Sequence, residues 1–446
     1  MFGTDGIRGR ANVDPMLPET VLRVGMAVGM HFGRGGRVVV GKDTRRSGYM
    51  FETALASGLT SVGADVMLVG PMPTPGIAYI THSMRANAGV VISASHNPFE
   101  DNGIKLFGRD GFKLPDEVEL ELERLSQPGA ADGARATGAS IGRATRIEDA
   151  PGRYITHAKQ AFLKGARLDG IKIVVDCAHG AAYRIAPMVF AELGAKVIPI
   201  GVSPDGVNIN EGCGATAPEA MAAKVREVGA DLGVALDGDA DRAVFCDAQG
   251  TIVDGDRVLA ILALDAHGRD ELPGAAVVAT VMSNLGLERA LAGKGIGLVR
   301  AAVGDRYVVE EMRARDLVLG GEQSGHLICL EHATTGDGIV TALALLSVMV
   351  ASGRSLSELS ACMRAYPQMT RSFPVDQKPP LSALAQTRVE IEAVERRLGE
   401  EGRVLVRYSG TESKLRVMVE GPDAATLTEL VAQIGDAAVA EIRAIV

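Results

Sequence analysis

Segments with the apolar spacing of helices alternate with short runs of strand type along most of this chain. Near its start, the predicted helices and strands follow one another at 19–32, 37–40, 48–63, 65–69 and 90–92. Such alternation is typical of a mostly parallel sheet whose strands are joined by right-handed crossover helices. The cycle restarts with strands at 171–175 and 276–281, which predicts three related α/β units.

Two stretches interrupt this alternation and mark predicted domain boundaries. Residues 127–143 are small, polar and aperiodic, and residues 367–380 are rich in proline. Beyond the second stretch, a helix, a pair of strands and a terminal helix predict a small module. We therefore predict an α/β fold class: three related α/β domains with mostly parallel mixed sheets plus a smaller C-terminal α+β domain. The predicted domains are 1–145, 146–252, 253–366 and 367–446.

The composition narrows the class of protein. Lysine and arginine number 46 against 55 aspartates and glutamates, a net charge of −9, which argues against a nucleic-acid partner but not against a local basic pocket. The five cysteines are widely spaced, with no Cys-x-x-Cys pair, and are typical of reduced thiols in a cytosolic protein. The chain shows no signal-like start and no apolar run of membrane-spanning length, so we expect a cytoplasmic protein without a membrane partner.

One predicted strand of the first unit ends in a cluster of small polar residues. The apolar run 90–92 leads into Ser93-Ala94-Ser95-His96-Asn97-Pro98, and the proline forces a turn at Asn97. Ser95 and His96 are therefore expected at a strand end, with Lys105 a short way on, where open α/β sheets bind ligands. These residues alone leave two interpretations open: a nucleophilic serine with a polar neighbour, or a serine that only completes a turn.

A second strand end carries three carboxylates. The apolar run 232–236 leads directly into Asp237-Gly238-Asp239-Ala240-Asp241-Arg242. Carboxylates at this spacing are costly to bring together unless a cation neutralises them. The spacing does not match an EF-hand, and the small number of carboxylates favours Mg²⁺ over Ca²⁺. The alternative is a hydrated surface loop.

Three further glycine-containing loops carry polar side chains of the kind that binds sugar phosphates. After a predicted strand at 317–319, Glu322, Ser324 and His326 alternate and offer acceptors and donors for hydroxyl groups. A loop near the N-terminus adds Arg8. A loop near the C-terminus could cradle a phosphate with Arg407, Ser409, Gly410, Thr411 and Arg416. Each of these loops could also be an ordinary turn without a ligand.

Residues 36–43 come close to a nucleotide-binding phosphate loop without matching one. Asp43 stands where the magnesium-binding serine or threonine is required, and the residues between the two glycines form the predicted strand itself. A nucleotide is therefore not implied.

Four of these segments resemble the signatures of the α-D-phosphohexomutase superfamily, in the order found there and across essentially the whole chain. They are Ser93-Ala94-Ser95-His96-Asn97-Pro98, Asp237-Gly238-Asp239-Ala240-Asp241-Arg242, Gly321-Glu322-Gln323-Ser324-Gly325-His326 and Arg407-Tyr408-Ser409-Gly410-Thr411-Glu412. Segments 2–9, 208–216 and 303–307 are similar to the bacterial branch that acts on glucosamine phosphates. Ser413 departs from the family pattern, which usually has proline after Thr-Glu, and leaves one more backbone N–H in that loop.

The resemblance implies a phosphohexomutase, an intramolecular phosphotransferase of the isomerase class, with four domains around a central cleft. It implies interconversion of glucosamine 6-phosphate and glucosamine 1-phosphate through a phosphoserine at Ser95 and a sugar 1,6-bisphosphate. Lys105 and His326 are the candidates for proton transfer. A homodimer is expected from the resemblance alone. One Mg²⁺ per subunit would be held by Ser95, Asp237, Asp239 and Asp241.

The resemblance also assigns the groups that bind the substrate. Glu322 and Ser324 would bind sugar hydroxyls. The transferring phosphoryl group would be surrounded by Arg8, His96, Lys105 and Arg242. The phosphate that does not react in that half-cycle would be held by Arg407, Ser409, Gly410, Thr411 and Arg416.

Three other functions remain open. A phosphomannomutase/phosphoglucomutase would use the same mechanism on a sugar with a 2-hydroxyl group. A metal-dependent sugar phosphatase would need only the aspartate loop, and a regulator that binds sugar phosphates would need no catalysis. The last two are disfavoured because neither needs a serine, a metal loop and a remote phosphate cradle together.

Overall fold

A computed structural model of the protein describes residues 1–3, 5–409 and 413–445. The chain divides into two compact units. The first comprises Met1–Thr280 and Leu298–Cys362, and the second comprises Val281–Gly297 and Met363–Val446. Among the described residues, no helix combines the length and the apolar character needed to cross a bilayer.

The first sheet of the first unit has six strands in the order β1-β5-β4-β2-β3-β6. Its elements are β1 (Ile7–Arg10), α1 (Pro18–Phe32), β2 (Arg37–Lys42), α2 (Arg46–Ser61), β3 (Asp65–Pro71), α3 (Thr74–Ser83), β4 (Ala88–Ile92), β5 (Asp101–Gly108), α4 (Asp116–Leu125) and β6 (Ala144–Arg146). Strands β4, β2, β3 and β6 are parallel, whereas β5 is antiparallel to β4 and β1. The β-branched residues of β2 and β4 are fully buried, as expected for a sheet covered by helices.

The second sheet has five strands in the order β11-β10-β9-β7-β8. Its elements are α5 (Ala150–Ala158), β7 (Lys172–Asp176), α6 (Ile185–Glu192), β8 (Lys196–Ile200), α7 (Glu219–Val228), β9 (Leu232–Leu236), β10 (Ala243–Asp247) and β11 (Ile252–Val253). Strands β9, β7 and β8 are parallel, and β10 returns antiparallel to β9.

The third sheet has four strands in the order β13-β12-β14-β15. Strand β14 is parallel to β12 and antiparallel to β15. Helix α9 is part of the second compact unit. The elements of this part of the chain are α8 (Gly255–Gly268), β12 (Ala276–Thr280), α9 (Leu285–Ala292), β13 (Gly297–Ala301), α10 (Asp305–Ala314), β14 (Leu319–Gly321), β15 (Leu327–Cys329), α11 (Gly338–Ser352) and α12 (Leu356–Ser360).

The C-terminal part forms a three-stranded antiparallel sheet in the order β16-β18-β17. Its core contains Phe373, Val417, Leu430 and Ile434. The elements are β16 (Gln368–Pro374), α13 (Ala385–Leu398), β17 (Arg403–Tyr408), β18 (Lys414–Glu420) and α14 (Ala424–Ala444). The predicted fold class, three mixed α/β sheets followed by a smaller α+β domain, is confirmed.

The first three sheets share one topological feature. In each of them a strand with a parallel neighbour is followed by an antiparallel strand, so that the chain makes a hairpin. These hairpins are β4–β5, β9–β10 and β14–β15. Their connecting loops are 93–100, 237–242 and 322–326, which carry the predicted serine, aspartate and sugar-binding residues. The predicted loops therefore occupy equivalent places in three related sheets.

Candidate active site

Ser95 lies in the loop between β4 and β5 and is held through both its backbone and its side chain. Its φ of 51° lies in the left-handed region, which a serine adopts only where the surrounding structure compensates for the strain. The residue is buried, and its N–H donates to Ser93 Oγ at 2.9 Å. Its Oγ donates to Asp237 Oδ2 at 2.5 Å, and His96 Nδ1 lies 3.4 Å from the same Oγ. The hydroxyl is therefore presented to the aspartate loop.

Three aspartates that follow β9 form a buried cluster. Ligand oxygens of Asp237, Asp239 and Asp241 all lie within 4.8 Å of one another. Burial, together with the charges of the other two aspartates, raises the pKa of Asp237 well above its usual value. Burial would also raise the pKa of Asp239, but the Lys105 ammonium and hydrogen bonds from Thr74 and Lys105 lower it below its usual value. The negative charge of Asp237 is thus unfavourable where it lies, whereas that of Asp239 is stabilised by its neighbours.

The cluster fits a divalent metal ion. Asp239 Oδ1 and Asp241 Oδ1 are buried and accept no hydrogen bond from the part of the chain that the structure describes. Leaving buried carboxylate oxygens unsatisfied is costly. A hard cation would satisfy both, and a small set of carboxylate ligands suits a magnesium ion.

Lys105, on β5, is surrounded by carboxylates. Its Nζ lies 2.9 Å from Asp239 Oδ2, 3.1 Å from Asp241 Oδ2 and 3.5 Å from Asp5 Oδ2. Burial alone would lower the pKa of Lys105, but these three carboxylates raise it well above its usual value. Asp5 also pairs with Arg8 and Lys113. Although burial would raise the pKa of Asp5, the three cations hold it well below its usual value. Lys105 is therefore held as a cation beside the aspartate cluster.

Arg8, Arg242 and His96 lie in the same electrostatic neighbourhood. Burial would lower the pKa of Arg242, but the carboxylates of the aspartate loop raise it. Burial and the two arginines lower the pKa of His96 to about 4, so its imidazole is neutral at neutral pH. His96 is thus a hydrogen-bonding neighbour of Ser95, whereas the two guanidinium groups can neutralise an anion.

His326, which directly precedes β15, connects the aspartate loop with the third sheet. The N–H of Gly336 donates to His326 Nε2 at 3.0 Å. Nδ1 lies 3.7 Å from Asp241 Oδ1, and Nε2 lies 3.6 Å from Asp305 Oδ2. Asp305 pairs with Lys113 at 2.7 Å. These contacts complete a ring of ionisable side chains drawn from all three sheets: Asp241, His326, Asp305, Lys113, Asp5 and Lys105.

The loop between β14 and β15 carries the predicted sugar-binding residues. Glu322 Oε1 accepts from the N–H of Gly304 at 3.2 Å, and Ser324 Oγ donates to Glu322 Oε2 at 3.2 Å. Ser324 is exposed and Glu322 half-buried, so both can reach a ligand. The charge of Glu322 also acts on Arg242, which places this loop in the electrostatic field of the aspartate loop.

The predicted phosphate cradle belongs to the second compact unit. Arg407 on β17 and Arg416 on β18 are paired across the antiparallel strands. Burial and the charge of Arg416 lower the pKa of Arg407, as expected where two guanidinium groups lie close together. Ser409 is buried, and its carbonyl oxygen accepts from Lys378 Nζ at 2.7 Å. Two further predicted residues, Gly410 and Thr411, lie outside the described residues.

Within the first unit, the structure brings predicted residues of three separate loops and of strands β1 and β5 to one place. They are Arg8, Ser95, His96, Lys105, Asp237, Asp239, Asp241, Arg242 and His326. A hydroxyl, a carboxylate cluster that fits a metal ion and several cations around one point are suited to phosphoryl transfer.

Several residues of this site were not predicted from the sequence. Asp5 and Thr74 contact the lysine and the aspartate cluster, and Arg45 and Asn210 donate to the Ser95 carbonyl oxygen. A usable signal existed for Arg45, because it follows β2, and the ends of adjacent parallel strands meet at one edge of a sheet. Thr74 follows the adjacent parallel strand β3 and carries the same signal, whereas Asp5 and Asn210 carry no comparable local signal.

Comparison with known proteins identifies the family. The four domain models of the phosphoglucomutase/phosphomannomutase family match the chain in order. Alpha/beta/alpha domains I, II and III match residues 1–130, 152–250 and 254–366, and the C-terminal domain matches residues 372–437.

Individual relatives agree with these matches. The phosphoglucosamine mutase of Anaeromyxobacter dehalogenans is 58% identical over 436 residues, covering 95% of each chain. That of Myxococcus xanthus is 56% identical over 440 residues, covering 98% of this chain and 96% of the relative. A crystal structure of a phosphoglucomutase/phosphomannomutase family protein from Burkholderia thailandensis has the same fold, with a TM-score of 0.79 at 24% identity, over 99% of this chain and 98% of that one. The predicted superfamily is confirmed: the chain belongs to the phosphoglucomutase/phosphomannomutase family of phosphohexomutase enzymes.

Proposed function

We propose that this enzyme interconverts glucosamine 6-phosphate and glucosamine 1-phosphate, with Ser95 as the carrier of the phosphoryl group. The observation that carries the proposal is the 2.5 Å contact between Ser95 Oγ and Asp237 Oδ2, beside two more carboxylates and a buried lysine. The choice of the amino sugar rests on the relatives, which are named phosphoglucosamine mutases.

A phosphorylated Ser95 would bring about two negative charges into a buried loop. Arg8 and Arg242 would donate to its oxygens, as would Lys105, which its carboxylate neighbours keep protonated. His96, neutral at neutral pH, would add a hydrogen bond without adding charge. The cations thereby offset the charge that the carboxylate cluster would otherwise repel.

Asp237, Asp239 and Asp241, with an oxygen of the phosphorylated Ser95, would hold one magnesium ion. When bound, such an ion neutralises charge on the transferring phosphoryl group and orients it. Asp239 would keep its hydrogen bond from Thr74 at 2.7 Å, which fixes one carboxylate of the set.

In the first half-reaction the bond between phosphorus and Ser95 Oγ breaks as a bond to a sugar hydroxyl oxygen forms. The sugar hydroxyl releases a proton and Ser95 Oγ takes one up, so the step is balanced. Lys105 and His326 are the proposed groups for moving that proton. The product is a sugar 1,6-bisphosphate, and the second half-reaction returns its other phosphoryl group to Ser95.

The remaining predicted residues would bind the parts of the substrate that do not react. Glu322 would accept hydrogen bonds from sugar hydroxyls, and Ser324 would donate hydrogen bonds to them or accept hydrogen bonds from them. Arg407, Ser409 and Arg416 would hold the distant phosphate, together with Gly410 and Thr411. The proposal also places the enzyme in the cytoplasm, which the composition and the sugar-phosphate substrate support. It further includes a homodimer, which the family resemblance supports.

The test is a mutase assay with glucosamine 1-phosphate and a trace of glucosamine 1,6-bisphosphate, combined with intact-mass analysis. We expect conversion to the 6-phosphate and one phosphoryl group on the protein. Ser95→Ala should lose both, whereas Ser140→Ala, at an exposed serine of the same sheet domain, should lose neither.

The same assay separates the alternatives. A higher kcat/KM for mannose or glucose phosphates would favour a phosphomannomutase/phosphoglucomutase. Net release of inorganic phosphate without a stable phosphoserine would indicate a metal-dependent phosphatase. Full biological function of Ser95→Ala would indicate a regulator.

A further inference from the structure

Arg45 is a fully buried arginine whose guanidinium group lies behind the Ser95 loop. Its Nη2 donates to the carbonyl oxygens of Ser95 at 2.9 Å and Asn97 at 2.8 Å. Its Nη1 donates to the carbonyl oxygen of Asp101 at 3.1 Å and to that of Pro98. One side chain therefore binds four carbonyl oxygens of the segment that carries the nucleophile.

The same arginine acts on the other side of Ser95 through Asp43. Arg45 Nε donates to Asp43 Oδ2 at 2.8 Å, and Ser93 Oγ donates to that oxygen at 2.7 Å. The hydroxyl of Ser93 in turn accepts from the N–H of Ser95 at 2.9 Å. The Asp43–Arg45 pair thus holds both peptide groups that flank Ser95, one directly and one through a single hydroxyl.

This arrangement matters because Ser95 has an unfavourable backbone conformation, with φ at 51°. A non-glycine residue stays in the left-handed region only when its surroundings over-determine it. The direction of the Cα–Cβ bond, and hence the position of Oγ beside Asp237, follows from that backbone conformation. Phosphoryl transfer depends steeply on such placement, since a displacement of about 1 Å can cost about a hundredfold in rate.

We propose that Arg45, oriented by Asp43, is a positioning residue for the transfer reaction. It holds the Ser95 loop so that Oγ faces the aspartate cluster, and it does not touch the substrate. This inference rests on the proposed function. The planar guanidinium group is essential to it, because its five N–H donors in a fixed fork can serve an aspartate and four carbonyl oxygens at once, whereas a lysine ammonium has three.

The primary test compares Arg45→Lys with wild type in steady-state mutase kinetics and in single-turnover transfer from the phosphorylated enzyme. We expect kcat and the single-turnover rate to fall about a hundredfold, with KM changed by less than about threefold. Arg23→Lys is the matched control. It is the same substitution at an arginine that also binds a backbone carbonyl, that of Ser126, far along the chain from the Ser95 loop, and it should retain wild-type kinetics.

A folded Arg45→Lys protein with wild-type kcat would overturn the proposal, as would a change in KM alone. Ser93→Ala is the second test variant if Arg45→Lys fails to fold. It removes the hydroxyl that links Asp43 to the Ser95 N–H by two hydrogen bonds. We expect this variant to lower kcat about tenfold at unchanged KM, and an unchanged kcat would reject the proposal. If wild type itself shows no mutase activity and no phosphoserine, the proposed function fails. If wild type is active and both variants match it, only the role of Arg45 fails.

Discussion

Ser95 Oγ lies 2.5 Å from Asp237 Oδ2 although 142 positions separate the two residues. The serine follows β4 of the first sheet and the aspartate follows β9 of the second. Both loops join a strand to its antiparallel neighbour, and Gly238 allows their close approach, because a Cβ there would lie 2.6 Å from the Ser95 carbonyl oxygen. The proposed nucleophile and the proposed metal ligands are therefore brought together by the packing of two equivalent hairpins.

Asp237→Asn should separate the metal role of this carboxylate from its structural role. In protein stripped of divalent cations, the variant should have the higher thermal midpoint, because burial and the neighbouring aspartates make the Asp237 charge unfavourable. Adding Mg²⁺ should raise the midpoint of wild type much more than that of the variant. The variant's mutase activity should fall about a hundredfold or more. An equal Mg²⁺-induced shift in both proteins would contradict the assignment.

Asp5→Asn should impair catalysis although Asp5 was not among the predicted residues. Asp5 pairs with Arg8 and Lys113 and lies 3.5 Å from Lys105 Nζ. Losing its charge leaves these cations less compensated and frees Lys105 to move, so we expect kcat/KM to fall about tenfold to a hundredfold. Steady-state mutase kinetics provide the measurement. Asp169→Asn, at an exposed ion pair, is the control and should stay within about 0.5 kcal/mol of wild type in stability.

Arg407→Ala should raise KM for glucosamine 1-phosphate about tenfold to a hundredfold while kcat stays within about threefold. The reason is that this arginine, paired with Arg416 across two strands, is proposed to bind a phosphate that does not react in that half-cycle. Arg371→Ala, on β16, which pairs with β18 but not with β17, should leave both constants unchanged. A fall in kcat at constant KM would argue against a binding role.

Asp337 gives a prediction for stability against pH. Burial raises its pKa to about 6 from an ordinary 3.8, so between these values the folded protein keeps a proton that the unfolded chain has lost. Stability from this group therefore falls as pH rises through that window, by up to about 3 kcal/mol.

Asp337→Asn removes this dependence while keeping one acceptor oxygen, to which the N–H groups of Ile339 and Val340 and the Tyr154 hydroxyl can still donate. In denaturant titrations, the stability of the variant relative to wild type should improve from pH 4 to pH 7. A difference that stays constant over that range would refute the prediction.

Much of the fold could be read from local patterns. The buried strands β2, β4, β7 and β12 and the terminal helix α14 lie where apolar runs and helical spacing predict them. The antiparallel return strand β5 was not predicted, because 101–108 carries polar and apolar residues without clear alternation. Strand β10, a short apolar run directly after the aspartate loop, was not predicted either. Each of these two strands forms by pairing with the free edge of the strand before it in the chain, which is a tertiary contact.

Short-range chemistry can be predicted from the sequence: a proline that forces a turn after Ser95, three closely spaced aspartates that fit a cation site, and glycines where the backbone must turn. The sequence by itself therefore determined most of the strand and helix pattern and the identity of the loops, and through the family resemblance the class of chemistry. Only the tertiary structure decided that Lys105 sits among three carboxylates, that His96 is neutral, and that Arg45 holds the Ser95 loop from behind. These properties depend on burial and on distances between residues far apart in the chain, which arise when whole sheets pack together.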